Sequence, residues 1–296
     1  MSWVETATSA SLLSSIIFLP ITVALVLQIS VTKMYNLAHG SLVAIGAYTA
    51  FWLSVAYPSP IVFVASILTT TIASLVVAKG VYIPLRGRGV DRNGLLVVSF
   101  GVLLIVQTSL LILAGVNKLY IGGNQIPTVK LFSFGGFDIT NLFLWSLIGA
   151  ACVGLTLLYL YKRTRVGKTF SAVADNEALA RLSGINVARA TTLAWLVTGA
   201  ITGLSGGFLS MYSVASPNVG SDVAIIAYAG AAFGGLTNFR GAIIGTFIVA
   251  FAQNLLINFL GATFDINVAY EPVIVLGVVV VLLLVQFGRY RIGHSL

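Results

Sequence analysis

The chain has 296 residues, of which 58% are apolar and 8% charged, and its mean hydropathy is +1.02. A soluble domain carries charge on about a quarter of its residues, so this composition excludes a water-soluble globule and puts lipid around most of the surface. The net charge of +8 does not mark a nucleic-acid binder either: no basic stripe with interleaved aromatics occurs, and basic residues beside a bilayer gain about 1 kcal/mol each from anionic headgroups.

Nine apolar runs follow one another, at about Ser11–Val31, Ala38–Ala56, Pro60–Ala78, Leu95–Val116, Leu142–Tyr161, Thr191–Val214, Val223–Leu236, Ala242–Leu260 and Pro272–Phe287. A helix of roughly 20 residues crosses a hydrocarbon core of about 30 Å. Lipid offers the backbone no hydrogen-bond partners, and the runs lack the alternation of barrel strands, so each is predicted to be helical. The run Val223–Leu236, at 14 residues, is too short to cross alone and is expected to sit within the bundle. The sequence therefore predicts an all-α, polytopic membrane helical bundle of about nine transmembrane helices, within a range of eight to ten, as a single domain over 1–296. The first run is not read as a signal peptide, because Glu5 flanks it without a lysine or arginine and no small-residue cleavage site follows.

Fourteen of the 16 lysines and arginines fall on one side if every run crosses. Lys79, Arg86, Arg88 and Arg92 crowd one loop. Lys162, Arg163, Arg165, Lys168, Arg181 and Arg189 crowd another, and Arg289 and Arg291 follow the last run. By the positive-inside rule these face the cytoplasm, with the amino terminus outside and the carboxyl terminus inside. Lys118 and Lys130 remain outside, in a loop at about 117–141. Within that loop Thr128–Phe134 and Phe137–Thr140 flank Gly135-Gly136, which predicts a small β-hairpin.

The basic loop at about 162–190 is the richest soluble segment. Asp175 is expected to cap a short helix over 175–184, with Glu177 set against its N-terminal dipole. Ala178, Leu179, Ala180 and Leu182 favour helix, Gly184 ends it, and Asn186 caps the next run. Such a helix between two spans suits docking to a cytoplasmic partner.

Catalytic chemistry finds little support. Gly167-Lys168-Thr169 resembles the tail of a phosphate-binding loop, but position 162 is lysine where that motif needs glycine. His39 and His294 lie far apart without acidic or cysteine companions, and the single cysteine, Cys152, sits inside a run in a packing role. No enzyme, metal or cofactor is expected. The runs do carry small and polar residues: Asn36, His39, Gly40 and Ser41 at the start of the second, and Gly230, Gly234, Gly235 and Asn238 around the seventh. Polar groups at membrane depth face protein or water, and glycine-broken short helices in both halves of a chain point to a transport pathway. The two clusters are expected to lie close together.

Three segments carry a family resemblance: Asn36-Leu-Ala-His-Gly40, Ala174-Asp-Asn-Glu-Ala-Leu-Ala-Arg-Leu-Ser-Gly-Ile-Asn186, and Gly234-Gly-Leu-Thr-Asn-Phe-Arg-Gly-Ala-Ile-Ile-Gly245. Together, from about Lys33 to Phe287, they resemble the permease subunits of branched-chain amino acid ABC importers. The resemblance implies a second homologous permease, two cytoplasmic ATPase subunits that hydrolyse the ATP, and an extracytoplasmic solute-binding protein. It also implies a prokaryotic plasma-membrane location. Asp175, Glu177, Ala178, Arg181 and Gly184 would form the ATPase-coupling segment. Arg240 and Asn176 depart from the family pattern. Urea, short-chain amides and other small solutes are carried by the same family, so the solute stays open; a secondary transporter or channel working alone is the alternative.

Overall fold

The computed structural model describes residues 3–116, 126–134, 137–213, 216, 218–264 and positions 273, 276, 277, 280 and 281. The Gly135-Gly136 turn and most of the ninth run lie outside them, although the five described positions in that run are helical. In chain order the elements are α1 (Trp3–Thr32), α2 (His39–Leu53), α3 (Ser59–Val77), a π-helical turn (Ala78–Tyr82), α4 (Ile83–Gly87), α5 (Arg92–Val116), β1 (Lys130–Phe134), β2 (Phe137–Thr140), α6 (Asn141–Arg163), α7 (Arg165–Asp175), α8 (Glu177–Leu182), α9 (Val187–Tyr212), α10 (Val219–Gly234) and α11 (Phe239–Phe264). Six of the described helical segments are long and apolar enough to cross a membrane, and α2 and α10 are shorter apolar helices beside them. The architecture is the expected polytopic all-α bundle.

Helices α1 and α9 form its centre. The most apolar stretch of α1 is 78% buried, against 22% for α5, which lies at the periphery with its apolar face outward. A central membrane helix carries small polar side chains only if they are satisfied. Ser11, Ser15, Thr22 and Thr32 of α1 return their hydroxyls to the carbonyl one turn back, at 2.6, 2.5, 3.2 and 2.7 Å.

Lipid gives helices no hydrophobic drive to associate, so close backbone approach at small residues supplies the contact. In α3 the buried positions Val62, Ser66, Thr70 and Ser74 recur every four residues and form one stripe. That stripe meets Gly199 and Gly203 of α9, where an added Cβ would press on Ser74 and on the Ser66 carbonyl. Ser66 Oγ then donates to the carbonyls of Gly203 at 2.6 Å and Gly46 at 2.9 Å, joining α3, α9 and α2 at one point.

At the far end the hairpin forms as the alternation predicts. β1 and β2 pair antiparallel with Phe134 opposite Phe137, and an irregularity between Lys130 and Phe132 shifts the register. Lys130 Nζ lies 2.6 Å from Asp138 and Ser133 donates to the same carboxylate at 2.8 Å. Lys130, then Ser133, hold the Asp138 pKa below its ordinary value of 3.8. A depressed carboxylate favours the paired strands above its unfolded pKa and loses that contribution as pH falls through the lower folded value. Amide protection in the hairpin should therefore be flat from neutral pH down to about 5 and fall below about 4. Asp138→Asn should flatten that fall; an unchanged profile would dismiss the pair.

Cys152 corrects an expectation. Its side chain is exposed on α6 instead of packed in the core, because α6 turns Ser146, Gly149, Ala150 and Val153 inward and leaves Cys152 on the outer face.

Candidate functional site

The loop 162–190 folds as two helices, where the sequence suggested one. Thr164, in extended conformation, accepts from Gly167 N at 3.1 Å and caps α7. Helix α7 is strongly two-faced: Gly167, Phe170 and Val173 are buried, and the last two join Val23, Leu27 and Val31 of α1 in one apolar cluster. The sequence held that signal in the spacing of Val166, Phe170 and Val173 behind a threonine, but the flanking charges masked it. Asn176 then breaks the helix and accepts from Leu179 N at 3.0 Å. The cap of the short helix is thus Asn176, and Asp175 is the last residue of α7, correcting the expected cap. An Asx side chain caps only from outside the helix, and residue 176 is the one with extended backbone.

Helix α8 closes on Gly184 at φ +80°, with Ile185 N reaching the Ala180 carbonyl at 3.0 Å; the left-handed conformation is the reason for glycine there. Asn186 caps α9 as expected, accepting from Arg189 N at 3.0 Å. Of the residues singled out, Ala178, Arg181 and Gly184 are exposed and Glu177 is half-buried. Leu179 and Leu182 are also exposed, Leu182 at 86%. Three residues apart, they share a face, and two bare leucines on one turn form an apolar knob.

Glu177 anchors that knob. Its carboxylate accepts from Arg181 one turn on, at 2.8 Å, and pairs with Arg86 of α4. Arg86 also donates through Nη1 to the Thr32 carbonyl at 2.9 Å, closing the end of α1. Lys33 leaves α1 at φ +57° and its ammonium reaches the Ala174 carbonyl of α7. Helices α7 and α8 are therefore joined to the membrane helices at the C-terminal end of α1.

Beyond that end the chain stays non-helical from Lys33 to Ala38 before α2 begins. Irregular backbone at membrane depth persists only where protein satisfies it. Here Ser99 of α5 accepts from Leu37 N at 3.0 Å. Asn36, fully buried, donates to Gln28 at 3.2 Å and accepts from Tyr82 at 2.9 Å. Tyr82 ends the π-helical turn and stacks on Trp195 of α9, with centroids 5.0 Å apart; such turns re-aim a side chain and recur at functional positions. His39 Nε2 donates to the Ile21 carbonyl at 3.2 Å, and Ser41 reaches the Leu103 carbonyl at 3.4 Å. Asn36, His39 and Ser41 thus face the bundle interior. Gln28 and Tyr82, the partners of Asn36, were not anticipated, since nothing in their spacing points to residue 36.

Helix α10 meets the first cluster at Tyr228, beside Tyr82 and the Asn36 backbone, but its glycines turn to another side. Gly40 lies against the backbone of Gly220 at the start of α10, whereas Gly230 and Gly234 lie against Thr246 and Gly241 of α11. Gly230 and Gly234, four apart, share a face, and that face packs on α11. Gly235 ends α10 at φ +90°, and Asn238 is exposed and accepts from Arg240 N at 3.1 Å and Gly241 N at 3.3 Å at the start of α11. Both shape a turn.

Residues 7–284 match the family model described as branched-chain amino acid transport system / permease component. The chain is 27% identical over 278 residues to the probable branched-chain amino acid transport permease protein LivH of Methanocaldococcus jannaschii, covering 90% of this chain and 85% of that one. It is 24% identical over 273 residues to the high-affinity branched-chain amino acid transport system permease protein LivH of Salmonella typhimurium, covering 86% and 84%. Its fold is similar to a chain in the structure of PsaBC from Streptococcus pneumoniae in complex with Fab, at TM-score 0.51 and 13% identity over 95% of this chain and 91% of that one.

Proposed function

This chain belongs to the family of permease components of branched-chain amino acid transport systems, and from that premise we propose that it is one transmembrane subunit of an ATP-binding-cassette importer for branched-chain amino acids or similar small polar solutes. The observation that carries the reading is the apolar knob of Leu179 and Leu182, presented on a separately capped helix and tied through Glu177 and Arg86 to the end of α1. A bare pair of leucines on a loop helix beyond the spans is a surface that a cytoplasmic ATPase would cover. A second, homologous permease completes the route and a solute-binding protein delivers at the opposite face. Hydrolysis takes place in the two ATPase subunits.

In this mechanism ATP binding displaces α8 and, through Arg86 and Lys33, the break between α1 and α2. That break, with Asn36, His39, Gly40 and Ser41, moves beside the route, while the α10–α11 hairpin closed by Gly230, Gly234, Gly235 and Asn238 supports it. The amino terminus faces outward and α7 and α8 face the cytoplasm.

Two measurements test this. In a Cys152→Ser background, cysteines at 88 and 168 should resist an external impermeant reagent while position 130 labels; labelling at 88 would reverse the orientation. In proteoliposomes, uptake of leucine, isoleucine or valine should require ATP, both ATPases and the binding protein. Uptake that persists without the ATPases would instead support a transporter working alone.

A further inference from the structure

A cavity of about 410 Å³ lies where α9 ends and α10 begins, walled also by α1 and α11. That size falls within the range of small-molecule sites, about 300–1,000 Å³. Its end of the bundle is the one that carries the hairpin, since Met211 of α9 packs with Ile126 and Trp145 near the strands. Among the residues lining it Asp222 alone carries a charge. Phe18 and Tyr212 stand beside it as an edge-to-face pair, centroids 6.2 Å apart, and Val223 and Ile226 add aliphatic wall. Gln253, almost fully buried, contributes an amide.

A carboxylate beside aromatic rings attracts a cation, by charge and by the ring quadrupole. It repels a bare carboxylic acid and gains little from urea, a neutral amide or a sugar. The aliphatic wall suits a compact branched hydrocarbon. We infer that this cavity is a transit site for a solute bearing a protonated amine and a branched apolar group, with Asp222 receiving the ammonium. The inference rests on the importer reading and gives the solute's ammonium a partner that the family motifs do not include. One partly solvated ion pair makes a way-station, from which the solute leaves readily.

The test uses the complete transporter in proteoliposomes, with leucine delivered by saturating binding protein, and reads leucine uptake and ATP hydrolysis together. Asp222→Asn should lower leucine moved per ATP about tenfold, on the order of one hydrogen bond to a charged group lost, while Asp222→Glu keeps most of it. Stimulated hydrolysis should stay near wild type in both. Equal uptake by Asp222→Asn overturns the inference, and so does a parallel fall in uptake and hydrolysis, which marks a merely structural aspartate. Ile226→Phe, which fills the cavity without touching the charge, should also lower uptake per ATP, and carries the test if the Asn variant fails to assemble; normal uptake there overturns it. Wild-type transporter that moves no branched-chain amino acid rejects the importer's solute instead.

Discussion

Glu177→Lys is expected to abolish solute-stimulated ATP hydrolysis and reduce uptake by at least about tenfold, a change equivalent to roughly 1.4 kcal/mol. The substitution removes both ion pairs of Glu177 and places a third cation between Arg86 and Arg181. The Arg181 pair is largely exposed and contributes little. The Arg86 pair is different, with its side chains only 27% and 22% exposed, and breaking a part-buried pair leaves a charge without its partner. Reversal also opposes the N-terminal dipole of α8, by about 0.5–1 kcal/mol. These local terms leave the bundle intact, because α8 packs through Ala180 and the capped turns. The subunit should therefore still reach the membrane and hold its ATPases.

A charge swap separates this account from general damage. Adding Arg86→Glu to Glu177→Lys restores an opposite pair, so part of the coupling should return, and a double-mutant cycle gives the interaction directly. Recovery stays incomplete, since a glutamate at 86 cannot donate to the Thr32 carbonyl that Arg86 now closes. Full uptake by Glu177→Lys alone would remove Glu177 from the coupling path. Strictly additive losses across the cycle would remove Arg86.

The spans, the hairpin and the caps at Gly184 and Asn186 were legible because each depends on residues within a few positions: apolar run length, strand alternation, a glycine at positive φ, an asparagine before a helix. The cap at Asn176 was displaced by one residue because Asp and Asn stand side by side and both accept. Helix α7 was hidden by its charges, although its buried face repeats regularly. The partners of Asn36 were not legible at all. Gln28 and Tyr82 come from two separate elements, and Tyr82 reaches Asn36 through a π-helical turn that no periodicity announces. Helix faces were legible only in part: the sequence says that Gly230 and Gly234 share a side, but the partner of that side is set by the order in which helices pack.

That packing order underlies the second large effect. Gly40→Leu should eliminate uptake and lower the thermal stability of the purified subunit, with Gly220→Leu matching it. A Cβ at either position would overlap the other's carbonyl oxygen, so neither helix has room to yield without separating α2 from α10. Overpacking costs typically about 1–3 kcal/mol where side chains can shift, and backbone facing backbone shifts least. Displacing the start of α2 also draws His39 from Ile21 and Asn36 from Tyr82, so the polar groups of the break lose partners they cannot replace in lipid. Gly234→Leu should behave alike by parting α10 from Gly241, but should leave the Asn36 network in place. Gly101→Ala in α5 is the control. Nothing lies within 4 Å of its Cβ position, and alanine there gains about 1 kcal/mol of helix propensity, so uptake and melting temperature should hold or rise. Wild-type uptake by Gly40→Leu would mean that the α2–α10 contact opens freely, and the break between α1 and α2 would then lose its place as the moving element.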